Sequence, residues 1–209
     1  MVSIGVKKII IPAYYQKSKL REYFEYANKE INANICLLEL DELPKGIALT
    51  IKSAEKCVRE PFMVILGDDI TIADSLQPLV DLFFKMDAIA VEGVVREENR
   101  DVIKHTCCVK LKGNGQISKI GEKPINPFSN IRGCGVYIFS PKIFEYIEKT
   151  PILPPRQEVE ITNAISLVAK DGKAYGKFIE GCNINVNTPE DLFRAWSEMK
   201  NKRVSMNNG

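Results

Sequence analysis

The sequence predicts an α/β protein whose single domain is built on a mixed, mainly parallel sheet. In the first half, apolar runs of strand length alternate with stretches in which apolar residues recur at helical spacing. That β-α-β-α order implies right-handed crossovers between parallel strands. In the second half, two strand-like runs flank Asn114-Gly115, a turn dipeptide typical of antiparallel hairpins. No repeat or low-complexity linker divides the chain, so we expect one domain over residues 1–209.

Each strand of the first half is predicted by a short apolar run that ends at proline, glycine or a polar residue. These runs lie at residues 6–11, 34–40, 63–66 and 88–95, and Pro12 is expected to close the first. The helices between them are predicted by apolar residues three and four positions apart, at residues 17–31, 46–58 and 76–84.

The second half is predicted to contain more strands, at residues 106–111, 116–120, 135–139, 173–179 and 183–186. Helices are predicted at residues 141–148 and 158–169. A last helix should begin after Thr188, which can act as its N-cap, with Pro189 in its first position.

The composition excludes several classes of protein. Hydrophobic residues make up 45% of the chain and charged residues 27%, as in an ordinary globular protein. The net charge of +2, from 29 basic and 27 acidic residues, gives no electrostatic reason for a nucleic-acid partner. No apolar run approaches the roughly 20 residues of a membrane-spanning helix, and the N-terminus lacks the pattern of a signal peptide. We therefore expect a cytoplasmic protein without a membrane partner.

Cysteine and histidine offer no catalytic motif. The six cysteines form no C-x-x-C pair and no zinc-finger spacing, so core packing is the favoured role for them. His105 is the only histidine, and its surroundings alternate like a strand, so we predict an ordinary strand residue. Catalysis by a Ser–His–Asp or Cys–His arrangement is therefore not expected.

The first candidate site follows the strand predicted at residues 63–66. The chain continues as Gly67-Asp68-Asp69, so two carboxylates come directly after an uninterrupted apolar run. The carboxyl ends of strands in open α/β sheets surround the ligand-binding crevice. Carboxylates at that edge suit a hard divalent cation such as Mg²⁺. The alternative, which this stretch alone does not exclude, is that Asp68 or Asp69 caps the segment that follows.

A second candidate site is Glu122-Lys123-Pro124, on a loop that follows a strand. Glutamate accepts hydrogen bonds from sugar hydroxyls and lysine binds phosphate, so the pair suits one sugar phosphate. A solvated surface turn is the structural alternative. Downstream, Gly133 and Gly135 lack side chains that would keep a ligand from the backbone.

Two further polar groups also have ordinary structural explanations. Glu158 and Glu160 stand at the head of a predicted helix, where acidic side chains commonly act as caps. Asn185 and Asn187 follow a predicted strand, where asparagine commonly forms turns.

The order of these motifs resembles that of the sugar-1-phosphate nucleotidylyltransferases. These are the NDP-sugar pyrophosphorylases, such as glucose-1-phosphate thymidylyltransferase and mannose-1-phosphate guanylyltransferase. The resemblance extends from about Gly5 to Ala195. In chain order its motifs are Gly67-Asp68-Asp69, Glu122-Lys123-Pro124, Ser129-Asn130, Gly135-x-Tyr137-x-Phe139, Glu160-Ile161-Thr162-Asn163-Ala164-Ile165 and Asn187-Thr188-Pro189-Glu190-Asp191-Leu192.

The resemblance implies a Rossmann-like, GT-A-like three-layer fold and an Mg²⁺-dependent reaction. A sugar 1-phosphate would attack the α-phosphorus of an NTP in line and expel pyrophosphate, which requires positioning and charge neutralisation more than a protein nucleophile. Asp68 would hold Mg²⁺ against the phosphates, Glu122 would bind sugar hydroxyls and Lys123 would bind the sugar phosphate. The other implied binding residues are Gly67 in the aspartate motif, Gly135 and Tyr137 beside the sugar, Glu158 before the Glu-Ile-Thr helix, and Pro44 and Gly46 in the loop that touches the nucleobase.

The chain departs from the family pattern at its start. The family opens with Gly-Gly-x-Gly-Thr-Arg-Leu, a loop whose backbone N–H groups hold the triphosphate, and this sequence has no such stretch. We expect that the first βα unit, about 30 residues or more, is missing. Three explanations are open: a misplaced start codon or truncated sequence, an enzyme completed by a separate N-terminal chain, and a pseudoenzyme or regulatory subunit that binds sugar nucleotides without catalysis. We favour the first, and a homo-oligomer is compatible with each.

Smaller departures affect individual contacts. The second metal-binding Asp of the family aligns with Asn185, and a following Gly with Asn187; either amide oxygen can still coordinate Mg²⁺ but adds no charge. The base-reading Gln is replaced by Asp41, which only accepts hydrogen bonds and therefore favours guanine. Thr106-Cys107 replaces a Tyr-Gly pair, which puts one sugar contact in doubt.

Overall fold

The computed structural model describes residues 4–30, 34–152 and 157–207. Its strands, in chain order, are β1 Lys8–Ala13, β2 Asn34–Glu39, β3 Phe62–Ile65, β4 Asp69–Ala73, β5 Ala90–Arg96, β6 Cys107–Leu111, β7 Ile117–Glu122, β8 Ile131–Phe139, β9 Ala174–Phe178 and β10 Gly181–Asn185. Its helices are α1 Lys17–Glu30, α2 Ile47–Ser53, α3 Gln77–Lys85, α4 Arg100–Lys104, α5 Ile143–Glu148, α6 Ile161–Lys170 and α7 Pro189–Asn207. A 3₁₀ turn, Glu55–Cys57, follows α2 within the predicted helix 46–58.

The central sheet has the strand order β7-β6-β8-β5-β9, and β3 also pairs with β8. Two smaller sheets pair β1 with β2 and β4 with β10. The pairings β1–β2 and β5–β9 are parallel, whereas the other pairings within the described ranges are antiparallel. The predicted mixed sheet is confirmed, but the expectation that it is mainly parallel is wrong for the described strands. Their pairing is mainly antiparallel, because β8 runs antiparallel to each of its neighbours β3, β5 and β6.

Helices cover both faces of the central sheet, which produces the three layers that the resemblance implied. On one face, α2, α5 and α6 bury side chains such as Ile51, Phe144 and Ile165 against the strands. On the other face, α3 buries Leu79 and Phe83. The apolar residues that recur at helical spacing thus pack against the sheet, as the sequence pattern predicted. Of the helices described, none has both the length and the apolar character required to cross a membrane.

Two local predictions are wrong for identifiable reasons. Pro12 does not close the first strand but lies within β1, where β2 is the one strand paired to it in the described chain, so a missing N–H is tolerated. His105 is not a strand residue but follows α4 at its C-terminal end. That helix begins because the side chain of Asn99 accepts a hydrogen bond from the N–H of Asp101 at 2.9 Å.

The cysteines behave largely as predicted. Cys107, Cys108 and Cys134 are buried in or beside the sheet, which confirms the core-packing role for these three. Cys36 and Cys182 are half-buried, and Cys57 is exposed.

Candidate active site

Asp68 and Asp69 lie in the tight turn between β3 and β4. The N–H of Asp69 donates to the carbonyl of Leu66 at 3.2 Å, and β4 begins at Asp69 itself. Because a strand follows, neither carboxylate caps a helix, and the capping alternative is wrong. Asp68 is exposed at the turn beside the exposed Gly67, whereas Asp69 is half-buried.

The strand β10 brings two predicted asparagine ligands to this turn. β10 is antiparallel to β4 in a register that pairs Asn185 with Asp69. One step further on, the N–H of Val186 donates to the backbone carbonyl of Asp68 at 2.7 Å. The amide of Asn187 donates to the side-chain oxygen of Asn185. Fold topology therefore collects oxygen-bearing side chains that are more than a hundred residues apart in the chain.

The carboxyl of Asp69 lies directly against Gly135 on β8. Gly135 has a φ of 63°, and a Cβ atom there would lie 2.9 Å from Cγ of Asp69. Burial is the largest cause of a raised pKa for Asp69, and the charge of Asp68 adds to it, while hydrogen bonds from Asn185 and Asn183 act in the opposite direction. A bound cation would stabilise the ionised carboxylate here.

An arginine that the sequence analysis did not single out fixes this region. The guanidinium of Arg132 donates to the side-chain oxygen of Asn183 at 2.6 Å and to its backbone carbonyl at 3.0 Å. Asn183 donates in turn to Oγ1 of Thr71 at 3.0 Å and to the carbonyl of Cys134 at 3.2 Å. This buried network joins β8, β4 and β10, so it holds the Asp69–Asn185 pairing in register.

Glu122 and Lys123 lie where β7 ends. Glu122 is half-buried and paired with Cys107 on β6, whereas the side chain of Lys123 is exposed. The N–H of Lys123 donates to the carbonyl of Thr106 at 2.9 Å. Lys123 has a φ of 43°, a conformation that costs a residue other than glycine roughly 1 kcal/mol. The Thr106-Cys107 substitution therefore lies directly beside the predicted sugar-phosphate pair.

Tyr137 lies inside the core rather than on an open wall. It is 4% exposed and stacks on Phe139 with a ring separation of 5.5 Å. Burial raises the pKa of its phenol well above the usual value, and the charge of Glu92 adds to that rise. The role of Tyr137 beside a sugar stays a prediction.

The predicted nucleobase loop packs on the segment that contains Glu158. Gly46 has a φ of 102°, and a Cβ atom there would lie 2.6 Å from the carbonyl oxygen of Val159. The N–H of Val159 donates to the carbonyl of Lys45 at 2.9 Å. A Cβ atom at Gly46 would also lie 3.1 Å from Cβ of the exposed Glu158, so these two predicted residues come together, and Pro44 precedes them in the same loop.

Two side chains depart from the predicted arrangement. Asp41 is exposed on the loop after β2, and no hydrogen bond or ion pair among the described residues joins it to the other predicted site residues. Glu160 occupies the N-cap position of α6 but makes no capping hydrogen bond with its side chain, so that capping role is wrong.

Comparison with known proteins identifies the family, because the family model described as nucleotidyl transferase matches residues 1–202. The chain belongs to the nucleotidyl transferase family. One relative is named as a UTP–glucose-1-phosphate uridylyltransferase, and together with the family model this confirms the predicted family.

Two relatives show how similar this chain is to other proteins and how much of their length it covers. The bifunctional protein GlmU of Methanocaldococcus jannaschii is 35% identical over 190 residues, which is 91% of this chain and 42% of the relative. The UTP–glucose-1-phosphate uridylyltransferase AglF of Haloferax volcanii is 27% identical over 198 residues, which is 93% of this chain and 78% of the relative. The chain thus spans less than half of the GlmU protein.

Solved nucleotidyl transferases have the same fold. A UDP-glucose pyrophosphorylase complexed with UDP-glucose superposes with a TM-score of 0.83 at 24% identity, over 96% of this chain and 83% of that chain. A putative glucose-1-phosphate thymidylyltransferase from Bacillus anthracis in complex with a sucrose gives a TM-score of 0.76 at 24% identity, over 90% and 74%. The predicted Rossmann-like nucleotide-sugar transferase fold is confirmed.

One acidic residue of this nucleotidyl transferase was missed by the sequence analysis. Glu92 lies within the apolar run of β5, is completely buried, and faces the same side of the sheet as Tyr137, its partner on β8. A glutamate within an apolar run indicates a special role for that residue, because charged residues are rarely buried without a partner.

Proposed function

We propose that this chain joins an NTP and a sugar 1-phosphate to give an NDP-sugar and pyrophosphate. The observation that supports this best is the pairing of Asn185 with Asp69, which brings the segment that contains Asn185 and Asn187 to the backbone of Asp68. The Glu122-Lys123 turn is formed by the central sheet, whose middle strand contacts Asp69 through Gly135. The proposed metal ligands and the proposed sugar-phosphate pair are therefore connected through β8 of the central sheet. The names of the relatives, a glucose-1-phosphate uridylyltransferase among them, agree with that substrate class.

The protein's part in the reaction is positioning. The ammonium of Lys123 would bind the sugar phosphate, and the carboxylate of Glu122 would accept hydrogen bonds from sugar hydroxyls. Holding the sugar phosphate oxygen in line with the α-phosphorus converts the encounter into a nearly unimolecular step. The strained but fixed turn at Lys123 suits such a role, because a fixed backbone limits where the ammonium can lie.

Mg²⁺ fits the donors at the β3–β4 turn. The exposed carboxylate of Asp68 and the amide oxygens of Asn185 and Asn187 are hard oxygen ligands, and the carboxyl of Asp69 adjoins them. A bound Mg²⁺ would neutralise charge on the transferring phosphates. Burial first and the charge of Asp68 second raise the pKa of Asp69, and a bound cation would favour its ionised form.

We expect Asp68→Asn to lower the rate of Mg²⁺-dependent pyrophosphate release by at least about two orders of magnitude, because a charged ligand becomes neutral. Purified protein would be assayed with glucose 1-phosphate or mannose 1-phosphate and each NTP in turn. Asp81→Asn is the matched control, since Asp81 is exposed on α3 and bonds only to Gln77 among the described residues. Near-normal turnover of Asp68→Asn would contradict the metal role.

The same assay tests the alternative function. If the wild type binds NDP-sugars but shows no turnover, the chain is better described as a regulatory subunit than as an enzyme.

Lys123→Ala should weaken the binding of the sugar 1-phosphate much more than the binding of the NTP. Loss of one charge-assisted hydrogen bond should raise the KM for the sugar 1-phosphate roughly tenfold to a hundredfold. The KM for the NTP should change much less. Steady-state kinetics with either substrate varied would measure both, and equal effects on the two would argue against this assignment.

A further inference from the structure

Glu92 has an arrangement that simple core packing does not explain. Its side chain is 0% exposed, and neither carboxyl oxygen has a hydrogen-bonding partner in the part of the chain that the structure describes. Its head group lies over Gly133, because a Cβ atom built there would overlap Oε1 and lie 3.1 Å from Cδ. The same Cβ atom would lie 3.4 Å from Cβ of Cys107. The carboxyl therefore reaches across β8 toward β6.

This direction leads to the predicted sugar-phosphate pair. Cys108 pairs with Arg132, so the next residues outward, Cys107 and Gly133, are also neighbours across β6 and β8. Cys107 in turn pairs with Glu122 on β7. The carboxyl of Glu92, the backbone of Gly133, Cys107 and Glu122 thus form one row across four strands.

No cation faces Glu92 from the described elements. The groups that interact with it are Glu122 from β7, Cys107 from β6, and Tyr137 and Cys134 from β8. The residues that α6 buries on this side are all uncharged. A buried carboxylate without a cation, and with only a weak thiol donor beside it, is unstable relative to its neutral acid. Accordingly, burial first and the charge of Glu122 second raise the pKa of Glu92 to about 8, and the weak hydrogen-bond donor of Cys107, its thiol, acts in the opposite direction.

We propose that Glu92 is a positioning residue of the sugar subsite, whose neutral acid form behind Glu122 allows that subsite to accept an anionic sugar phosphate. The inference rests on the proposed function, because it assigns Glu122 and Lys123 to the sugar phosphate. With Glu92 neutral, the row of residues from Glu92 to Glu122 contains one carboxylate charge, that of Glu122. With Glu92 ionised, a second negative charge stands behind Glu122 and opposes the phosphate dianion.

The consequence is a pH-dependent affinity. Two like unit charges roughly 10 Å apart at an effective dielectric constant near 20 repel enough to weaken binding about tenfold, and the second charge of the phosphate makes this a lower bound. Sugar phosphates have completed their own ionisation by about pH 7, since the second phosphate pKa is near 6. Affinity for the sugar phosphate should therefore fall between pH 7 and 9.5, and it should do so through Glu92.

The first measurement reports on Glu92 without any ligand. Carboxyl ¹³C spectra of protein labelled at glutamate should contain one resonance that titrates near pH 8 and is absent from Glu92→Gln. In Glu122→Gln its midpoint should move to lower pH, because a repelling charge has been removed, whereas Glu98→Gln, an exposed control, should not move it. A Glu92 resonance that titrates near pH 4.5, or one that ignores Glu122→Gln, would overturn the proposal even if Glu92→Gln folds poorly.

The second measurement is calorimetric binding of glucose 1-phosphate and mannose 1-phosphate at pH 7 and 9.5. The wild type and Glu98→Gln should lose roughly tenfold in affinity over this interval, and Glu92→Gln should lose at most about twofold. Lys123 is present in all three proteins, so the difference between them isolates Glu92. An equal loss in Glu92→Gln would overturn this inference alone. Failure of the wild type to bind either sugar phosphate at any pH would overturn the proposed function together with it.

Discussion

At the scale of single residues, a missing side chain shapes the candidate site as much as any charged group. Gly135 combines a φ of 63° with close contact to the carboxyl of Asp69. The N–H of Leu66 donates to the carbonyl of Gly135 at 2.9 Å, so β8 holds the start of the Asp68 turn through this residue. Gly135 therefore positions the backbone at the start of the Asp68 turn and leaves room for the carboxyl of Asp69.

We expect Gly135→Ala to destabilise the protein by about 2 kcal/mol or more, because left-handed backbone strain and overlap with Asp69 add together. The matched control is Gly172→Ala, where φ is 72° but the new Cβ atom would meet only the flexible amide of Gln116, at 3.2 Å. Urea denaturation would compare the two, and titration with Mg²⁺ would show a weaker site in Gly135→Ala alone. Equal effects of both substitutions on stability and on Mg²⁺ binding would contradict the role given to Gly135.

Candidate site residues at the ends of strands were easier to predict from the sequence than functional residues within strands. Asp68 and Glu122 were found because a polar pair after an apolar run is visible without a structure. Arg132 was missed because the predicted strand began only at Gly135, whereas β8 begins at Ile131 and includes Arg132. Gly133 and Gly135 leave space for Glu92 and Asp69, which is a tertiary reason that no local pattern contains. The binding roles of Asp41 and Tyr137 remain predictions.

At the scale of elements, the start of α7 was predicted from its capping residues. The N–H of Asp191 donates to Oγ1 of Thr188 at 3.2 Å, and the N–H and hydroxyl of Thr188 both donate to the carboxylate of Asp191 at 3.0 Å. The N–H of Asn187 donates to the same carboxylate at 3.1 Å, and it is the largest cause of the lowered pKa of Asp191. Because α7 packs on β4 and β10, this cap also fixes the turn that follows Asn185.

Thr188→Ala should therefore lower the free energy of unfolding by about 1 kcal/mol, the usual effect of losing an N-cap. Ser197→Ala is the control within the same helix, since its hydroxyl only donates back to the carbonyl of Phe193 at 3.0 Å. Chemical denaturation of both variants measures the difference. A loss for Ser197→Ala as large as that for Thr188→Ala would show that the cap has no special role.

The elements that were not foreseen are short. The five residues of β4 follow the Gly67-Asp68 turn at once, and their pairing with β10 comes from the distant end of the chain. The five residues of α4 depend on the Asn99 cap rather than on an apolar face. Hydrophobic periodicity needs longer stretches than these, so it predicted the longer helices and strands but not these two short elements.

At the scale of the whole molecule, the charge state of one buried residue should be visible in global stability. Carboxylates whose pKa is lowered, such as Asp87 beside Lys173, affect stability only in acid. Burial raises the pKa values of Cys107 and Tyr137, so these two groups change the free energy of unfolding only at alkaline pH. His105 is exposed, and it is present in every variant to be compared. The interval from pH 5.5 to 8.5 is therefore suited to detecting Glu92.

In this interval the folded chain should hold a proton that the unfolded chain has lost. The pKa of Glu92 is about 8 when folded and 4.5 in its ordinary environment. Since the folded state then binds more protons, the free energy of unfolding falls as pH rises between these values and levels off above the upper one. Glu92→Gln cannot ionise, so its stability relative to the wild type should rise by up to about 3 kcal/mol between pH 5.5 and 8.5. Urea denaturation at one-unit steps of pH would measure this, with Glu98→Gln as the exposed control that stays parallel to the wild type. A constant difference between Glu92→Gln and the wild type would mean that Glu92 is ionised throughout, which would contradict the neutral acid behind Glu122.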